Sequence, residues 1–466
     1  MPKGIDVRGN SFQWGKVLTI PRLLVLSFAT VILVGGALLA MDFTRRSEPP
    51  KTVLIDAMFT ATSAVCVTGL SVCDIGKDYN ALGQAIVLVL IQIGGLGILT
   101  FSNFLLLLSS GHMSLHQRQI VEAMFGSQPH VTPRILLKRV IIYALTIESL
   151  GAALLTARFM ADFPFPKALW LGVFHAVSAF CNSGLSLFSD SLAAYRADWF
   201  LNATVMSLIV LGGLGFVVFS DLAGYFRRAH QSSRRILMLH TRIVLFTTIL
   251  LISVGAAGIF ILESRGSTVT GPWYQRILES VFLSITARTA GFNTVDTGAL
   301  TNGTLLLVIL LMTIGGSPGS TAGGIKTTTF AIILALITTS ARNRPRVELF
   351  SRTIPVSTVT KALITAASFL LAAAISTLAL QVTELPAHSA NLDRGHFLNS
   401  LFEVVSALGT VGLSTGMTPA LTSMGKLIIM GCMFAGRLGP LMIASSILGH
   451  QRVPDRSYPE ETVIVG

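Results

Sequence analysis

Residues 406–416 read SALGTVGLSTG. At the centre, Thr410-Val411-Gly412 joins two β-branched residues to a glycine, a poor combination for a helix. Strongly apolar segments flank it. In hydrocarbon, non-helical backbone persists only where protein or a water-filled cavity satisfies its peptide groups. The tripeptide therefore asks for a polar cavity at membrane depth.

The rest of the chain supports that setting. Of 466 residues, 52% are hydrophobic and only 12% charged, against roughly 25% charged in a soluble globular chain. The composition is that of a polytopic membrane protein. Strongly apolar runs fall at about 17–41, 86–108, 135–156, 204–222, 241–262, 304–336, 360–381 and 427–448. Each approaches or exceeds the roughly 20 residues a bilayer-spanning helix needs. The first run is too long for a signal-peptide core and no A-x-A site follows it, so it predicts a retained span. Shorter mixed segments near 52–66, 167–181, 273–287 and 396–408 cannot cross alone.

Each short segment ends alike: SAVCVTGLSV (63–72), SAFCNSGLSL (178–187), ITARTAGFNT (285–294) and SALGTVGLST (406–415). They align on Gly69, Gly184, Gly291 and Gly412, with Ser-Ala six and five residues earlier in three of the four. A second marker follows each: IGGLGIL (93–99), LGGLGFV (211–217), IGGSPGS (314–320) and AGRLGPL (435–441). The unit is a spanning helix, a half-length helix, a glycine-centred return loop and a second spanning helix. Four such units predict an all-α polytopic membrane protein with eight transmembrane helices and four half-helices around a pseudo-fourfold pore. The boundaries are 17–110, 111–225, 226–340 and 341–450, flanked by cytoplasmic segments 1–16 and 451–466.

A half-helix entering from outside aims its C-terminus, with about half a negative charge, at the membrane centre. Four of them favour a cation. Extended loops behind the helix ends can present carbonyl oxygens in place of its hydration shell, as the T-V-G-Y-G loops of potassium filters do. Thr410-Val411-Gly412 matches the first three letters of that motif. One such glycine alone is better read as helix packing; four in register are not. The GGLG markers lie within the expected second spans, where packing against the pore helices explains them.

Charge placement sets the expected topology. With the N-terminus inside, 20 of the 34 lysines and arginines fall in cytoplasmic segments, and both termini are cytoplasmic. The net charge of +12 then reflects topology and lipid attraction rather than nucleic-acid binding. The four cysteines show no metal-ligand spacing, and the matching repeat positions of Cys66 and Cys181 argue against a disulfide framework.

With CVTGLS, CNSGLS, RTAGFN and GTVGLS in that order, and GGSPGSTAGGIKTTT at 315–329, the chain resembles the membrane subunit of Ktr/Trk potassium uptake systems, nearer the Ktr branch, over about 17–448. The resemblance implies one pore per chain, a homodimer, and a cytosolic ring of nucleotide-binding regulatory subunits. The basic loops at about 111–134, 226–240 and 342–356 are surfaces for that ring. It places the ion-binding filter at Val67, Thr68 and Gly69; Asn182, Ser183 and Gly184; Thr289, Ala290 and Gly291; and Thr410, Val411 and Gly412. The transported ion is K+, with Na+ passage or dependence compatible with a filter lacking the motif's aromatic-glycine end, and no organic cofactor is expected. The location is the plasma (cell inner) membrane.

Gly315, Gly316, Pro318, Gly319, Gly323 and Gly324 make a continuous helix improbable at 314–327. The segment lies below the expected filter, where the family has an intramembrane gating loop. Gly315, Gly316, Gly319, Ser320, Thr321, Gly323, Gly324, Lys326 and Arg437 are the expected gate residues, the alternative for the segment being a kinked, glycine-packed helix. Lys326 is expected to snorkel toward the cytoplasm. Arg437 is expected below the filter, with a structural pair to a carbonyl or to an acid such as Glu403 as the alternative. Arg288 is expected to turn behind its loop toward Glu279 or Glu403. Asp74, Asp190 and Asp296 are expected at the outer mouth. Glu148 and His175 are expected to make only buried polar contacts.

No H-E-x-x-H, G-x-S-x-G or phosphate loop points to an enzyme. A secondary carrier for another small solute is the competing reading, but its inverted repeats disagree with the parallel order seen here.

Overall fold

The computed structural model describes residues 20–46, 53–97, 133–229, 237–265, 271–384 and 393–439. Within them the chain is helical apart from loops and one two-stranded hairpin, β1 (Glu348–Leu349) with β2 (Arg352–Thr353). Repeat 1 holds α1 (Ile20–Leu39), α2 (Val53–Cys66) and α3 (Ala81–Leu96). Repeat 2 holds α4 (Pro133–Phe159), α5 (Phe165–Phe180), α6 (Trp199–Leu214) and α7 (Phe216–Ala229). Repeat 3 holds α8 (Leu239–Leu262), α9 (Trp273–Thr286), α10 (Asn302–Thr313) and α11 (Thr327–Ala341). Repeat 4 holds α12 (Val356–Thr383), α13 (Asp393–Gly409) and α14 (Ser423–Leu438).

The half-helices α2, α5, α9 and α13 have 14 to 17 residues. At 1.5 Å per residue they reach about 21–26 Å, short of a hydrocarbon core of about 30 Å. They occupy the centre of the molecule: Phe59, Ala64, Phe174, Ala179, Phe282, Phe402 and Ala407 are buried. Each second helix starts at a side-chain cap on its first free N–H groups, from Asn80, Asp198, Thr301 and Thr422.

The repeats close into a ring. The second helix of each unit packs on the half-helix of the next: α3 on α5, α6 on α9, α10 on α13, and α14 back on α2. The last contact includes a buried ion pair, Lys426 Nζ to Asp56 Oδ1 at 2.7 Å.

Eight spans were expected, with only the second helix of repeat 3 interrupted, and the other second helices depart from this. Among the described residues α4, α8 and α12 are each long and apolar enough to cross alone. By contrast α3 and α14 end at Gly97 and Gly439, α6 and α7 meet at Gly215 with a 95° bend, and α10 stops before the 314–326 loop. Gly97, Gly215 and Gly439 have φ of 83°, 86° and 88°, a left-handed conformation that glycine adopts without a Cβ penalty. They are the last glycines of the GGLG-type markers, and Pro318 stands at that place in repeat 3. Packing explains the first glycine of these markers: Gly94, Gly212 and Gly436 lie against the carbonyls of Val65, Phe180 and Leu408. It does not explain the last, which ends or bends the helix.

Candidate ion-conduction site

The four return loops share one backbone pattern. Val67, Asn182, Thr289 and Thr410 are left-handed, with φ of 53°, 59°, 74° and 50°. Gly69, Gly184, Gly291 and Gly412 follow two residues later with φ of 96°, 70°, 78° and 93°. The residue between keeps a negative φ. Alternation of hand turns successive peptide planes to one side rather than to opposite faces.

Donors settle which side. The N–H groups of Thr68, Ser183 and Val411 each donate to the carbonyl five residues back, of Ser63, Ser178 and Ser406, at 2.8 Å; Ala290 N–H donates to Thr286 at 2.9 Å. Gly69 and Gly412 N–H groups donate to Ser63 Oγ (3.0 Å) and Ser406 Oγ (3.1 Å). In the other two loops Ser178 Oγ donates to the Leu185 carbonyl at 2.7 Å and Thr286 Oγ1 to the Phe292 carbonyl at 2.6 Å. Leu70, Leu185, Phe292 and Leu413 are buried behind the loops. The N–H groups thus face the half-helices. Among the described residues no donor reaches any of the twelve carbonyls of residues 67–69, 182–184, 289–291 and 410–412.

The loops meet in order around one axis. A methyl group on Gly69 would strike the Ser183 carbonyl oxygen. On Gly184 it would strike that of Ala290, on Gly291 that of Val411, and on Gly412 that of Thr68. Each glycine faces the peptide of the next loop, and the fourth returns to the first. Outside this ring lies a cavity of about 300 Å³ with all four glycines at its base. Ser71, Ser186, Asn293 and Ser414, each two residues past a filter glycine, line it, as do Asp74 and Asp296. Asp190, expected with them, is exposed and is not in the lining. Asp74 and Asp296 also cap local turns, accepting from Gly76 and Gly298 N–H at 3.0 Å.

Beneath the ring, 314–326 forms a strapped loop. Its neck pairs Ile314 with Ile325, and Thr327 N–H donates to Gly316 at 3.0 Å. Its body is tied to the broken helix of repeat 2: Ser317 N–H donates to Gly213 (3.0 Å), Thr321 N–H to Gly212 (3.3 Å), and Phe216 N–H to Gly319 (3.1 Å). Ser320 Oγ donates to the Ser317 carbonyl at 2.7 Å, within the loop. Gly323 lies against the Thr410 side chain, and Gly324 near the Gly409 carbonyl. Arg437 donates to the carbonyls of Thr321 and Gly94, and to Gly95 at 3.5 Å, joining the loop to α3. The segment is an irregular loop, as expected, and the alternative of a kinked, glycine-packed helix is not what forms.

A model of the TrkH cation transport proteins matches residues 27–451. The chain belongs to the TrkH family of cation transport proteins. In this family it is 36% identical to the potassium/sodium uptake protein NtpJ of Enterococcus hirae, over 97% of this chain and 98% of that protein. It is 37% identical to Ktr system potassium uptake protein B of Vibrio alginolyticus, over 96% and 95%. The crystal structure of the potassium transporter TrkH from Vibrio parahaemolyticus shares the fold, with a TM-score of 0.69 at 18% identity, over 92% of this chain and 84% of that one. The family transports cations, so the chain is not an enzyme, and the Ktr/Trk resemblance of its motifs is matched by these relatives.

Three side chains of this family member stand differently from expectation. Arg288 does not reach Glu279 or Glu403; it donates to the Gly315 carbonyl at 3.2 Å, at the start of the loop. Glu279 accepts from Gln275 (2.9 Å). Glu403 accepts from Ser414 Oγ, Thr418 Oγ1 (both 2.5 Å) and Thr415 N–H (3.1 Å), so it braces the loop past filter 4 rather than Arg437. Lys326 does not snorkel; its ammonium curls back to the Ala322 carbonyl at 2.6 Å. Arg288 finds a carbonyl instead of a carboxylate, and Arg437 takes carbonyls rather than the alternative acid, because the broken helices expose peptide oxygens at that depth. His175 and Glu148 keep to buried contacts, with Ser186 (3.0 Å) and Gln92 (3.1 and 3.2 Å). All four cysteines are free.

The sequence reading missed the clamps Ser63, Ser178, Thr286 and Ser406. For the three serines the signal was the recurring Ser-Ala; repeat 3 has Ile285-Thr286 at those places, so Thr286 carried no such signal.

Proposed function

We propose that this chain is the ion-translocating membrane subunit of a potassium uptake system, passing dehydrated K+ through a filter of four backbone loops. The relatives are named for potassium or potassium/sodium uptake, and a filter without the aromatic-glycine end of channel motifs fits some Na+ passage or dependence. The observation that carries the reading is the ring of twelve donor-free carbonyls on four loops that close on one another. Dehydrating an alkali cation requires oxygen ligands fixed in place, and orphaned peptide oxygens in a buried ring supply them.

In this reading 314–327 is the gate, closed by its straps and by Arg437. The pore repeats are 17–110, 111–225, 226–340 and 341–450, with both termini cytoplasmic. A cytosolic regulatory ring docks on the basic cytoplasmic loops, and the chain works as a homodimer. Of those loops, 226–229, 237–240 and 342–356 are among the described residues; 111–132 lies outside them.

The test is growth and cation uptake in cells lacking their own potassium systems. Rescue at low potassium is expected. Uptake of an organic solute without cation flux would instead establish the carrier reading.

A further inference from the structure

Thr410 and Thr289 occupy equivalent places at the inner ends of loops 4 and 3. Their hydroxyls are buried and have no hydrogen-bond partner. Buried hydroxyls in folded proteins are normally satisfied, and leaving one bare costs about 1–3 kcal/mol. The equivalent residues of loops 1 and 2 are different. Val67 has no polar atom, and the Asn182 amide end lies against the Ile209 and Ala179 carbonyls, to which its NH2 donates once the amide is set in the orientation those neighbours require. The inner end of the ring is therefore lopsided, with hydroxyl oxygens on one side only.

What touches Thr410 is the loop below. Gly323 sits so close that a Cβ there would overlap Thr410 Oγ1 and lie 3.1 Å from its Cβ and Cγ2. Gly323 keeps a φ outside the left-handed region, so its backbone does not require glycine; only the closeness does. On the neighbouring loop, a Cβ on Gly315 would lie 3.2 Å from the Thr289 methyl. The loop thus offers carbon to an oxygen that wants a donor or a cation.

We propose that Thr410 Oγ1, with Thr289 Oγ1 beside it, is the innermost ligand of the transported alkali cation, and that this cation and the seated loop compete for the same space. The inference rests on the filter reading above. An ion held at the inner end displaces Gly323 from its seat, and an emptied filter lets the loop return. External potassium then biases the gate open without any change in a partner.

The experiment is hydrogen exchange of the 314–327 segment in the full-length protein in lipid nanodiscs, with potassium replacing choline at constant ionic strength. At potassium about ten times its dissociation constant, a loop that seats only over the empty site shifts roughly tenfold toward the open form. Faster exchange is expected at Ser317 and Thr321, whose N–H groups bond Gly213 and Gly212 in the seated loop. Thr410→Val removes the potassium dependence, and Thr410→Ser retains it. Gly323→Ala exchanges fast with or without potassium, and serves even if Thr410→Val fails to fold. Wild-type exchange indifferent to potassium, a Thr410→Val loop that responds like wild type, or a Gly323→Ala loop as protected as wild type each overturns the inference. If the same preparation still binds potassium, the filter reading stands; if it binds none, that reading falls first.

Discussion

Val67, Asn182, Thr289 and Thr410 hold a backbone conformation that L-residues resist, at about 1–2 kcal/mol each. Three of the four are β-branched, for which a positive φ is an outlier. Repetition at equivalent places in four loops makes it a shared device: the left-handed residue starts the alternation that faces the carbonyls inward. The glycines of these loops were legible because glycine announces itself. The left-handed residues were not, since Val and Thr read as extended chain. Gly412→Ala places a methyl against the Thr68 carbonyl. The K+/Na+ selectivity ratio, from competitive uptake, should fall by about tenfold or more, the equivalent of about 1.4 kcal/mol. Ser406→Ala should act more gently. It orphans the Gly412 N–H, a loss of about 1–3 kcal/mol, and should lower potassium affinity while the protein still reaches the membrane.

The half-helices could be read from length alone, but the breaks in the second helices could not. The three residues Gly97, Gly215 and Gly439 sit in apolar runs whose composition suits an unbroken span, and only tertiary context selects the left-handed bend. The loop at 314–326 was legible for the opposite reason, because six Gly and Pro residues cannot all be absorbed in a helix. Its straps depend on the unseen breaks, since Gly212, Gly213 and Leu214 carbonyls receive them. Arg437 shows the same dependence: a carbonyl partner was one alternative open in the sequence, but without the broken helices nothing says which peptide oxygens it binds. Arg437→Ala frees the Thr321 carbonyl. A charge-assisted bond of about 1.5–3 kcal/mol shifts the loop roughly tenfold or more toward open. Maximal potassium uptake should therefore rise, with little change in KM. An unchanged rate would remove Arg437 from the gate.

Across the whole molecule, one chain makes a closed ring, so the seam between repeats 4 and 1 must be held as well as the covalently linked seams. Lys426 and Asp56 stitch it. Breaking such a buried pair from one side costs about 3–5 kcal/mol. Lys426→Met should lower the melting temperature measured by intrinsic fluorescence in detergent, and Lys426→Met with Asp56→Asn should recover part of the loss. Fourfold organisation was legible because four internal copies could be laid over one another. The seam was not, because Asp56 and Lys426 are 370 positions apart and have no charged counterparts at the other seams to reveal them. The most direct measurement is an anomalous-scattering map of the protein with rubidium in place of potassium. Density is expected on the axis inside the ring formed by residues 67–69, 182–184, 289–291 and 410–412. Rubidium bound elsewhere in the membrane region, with nothing between these four loops, would contradict it.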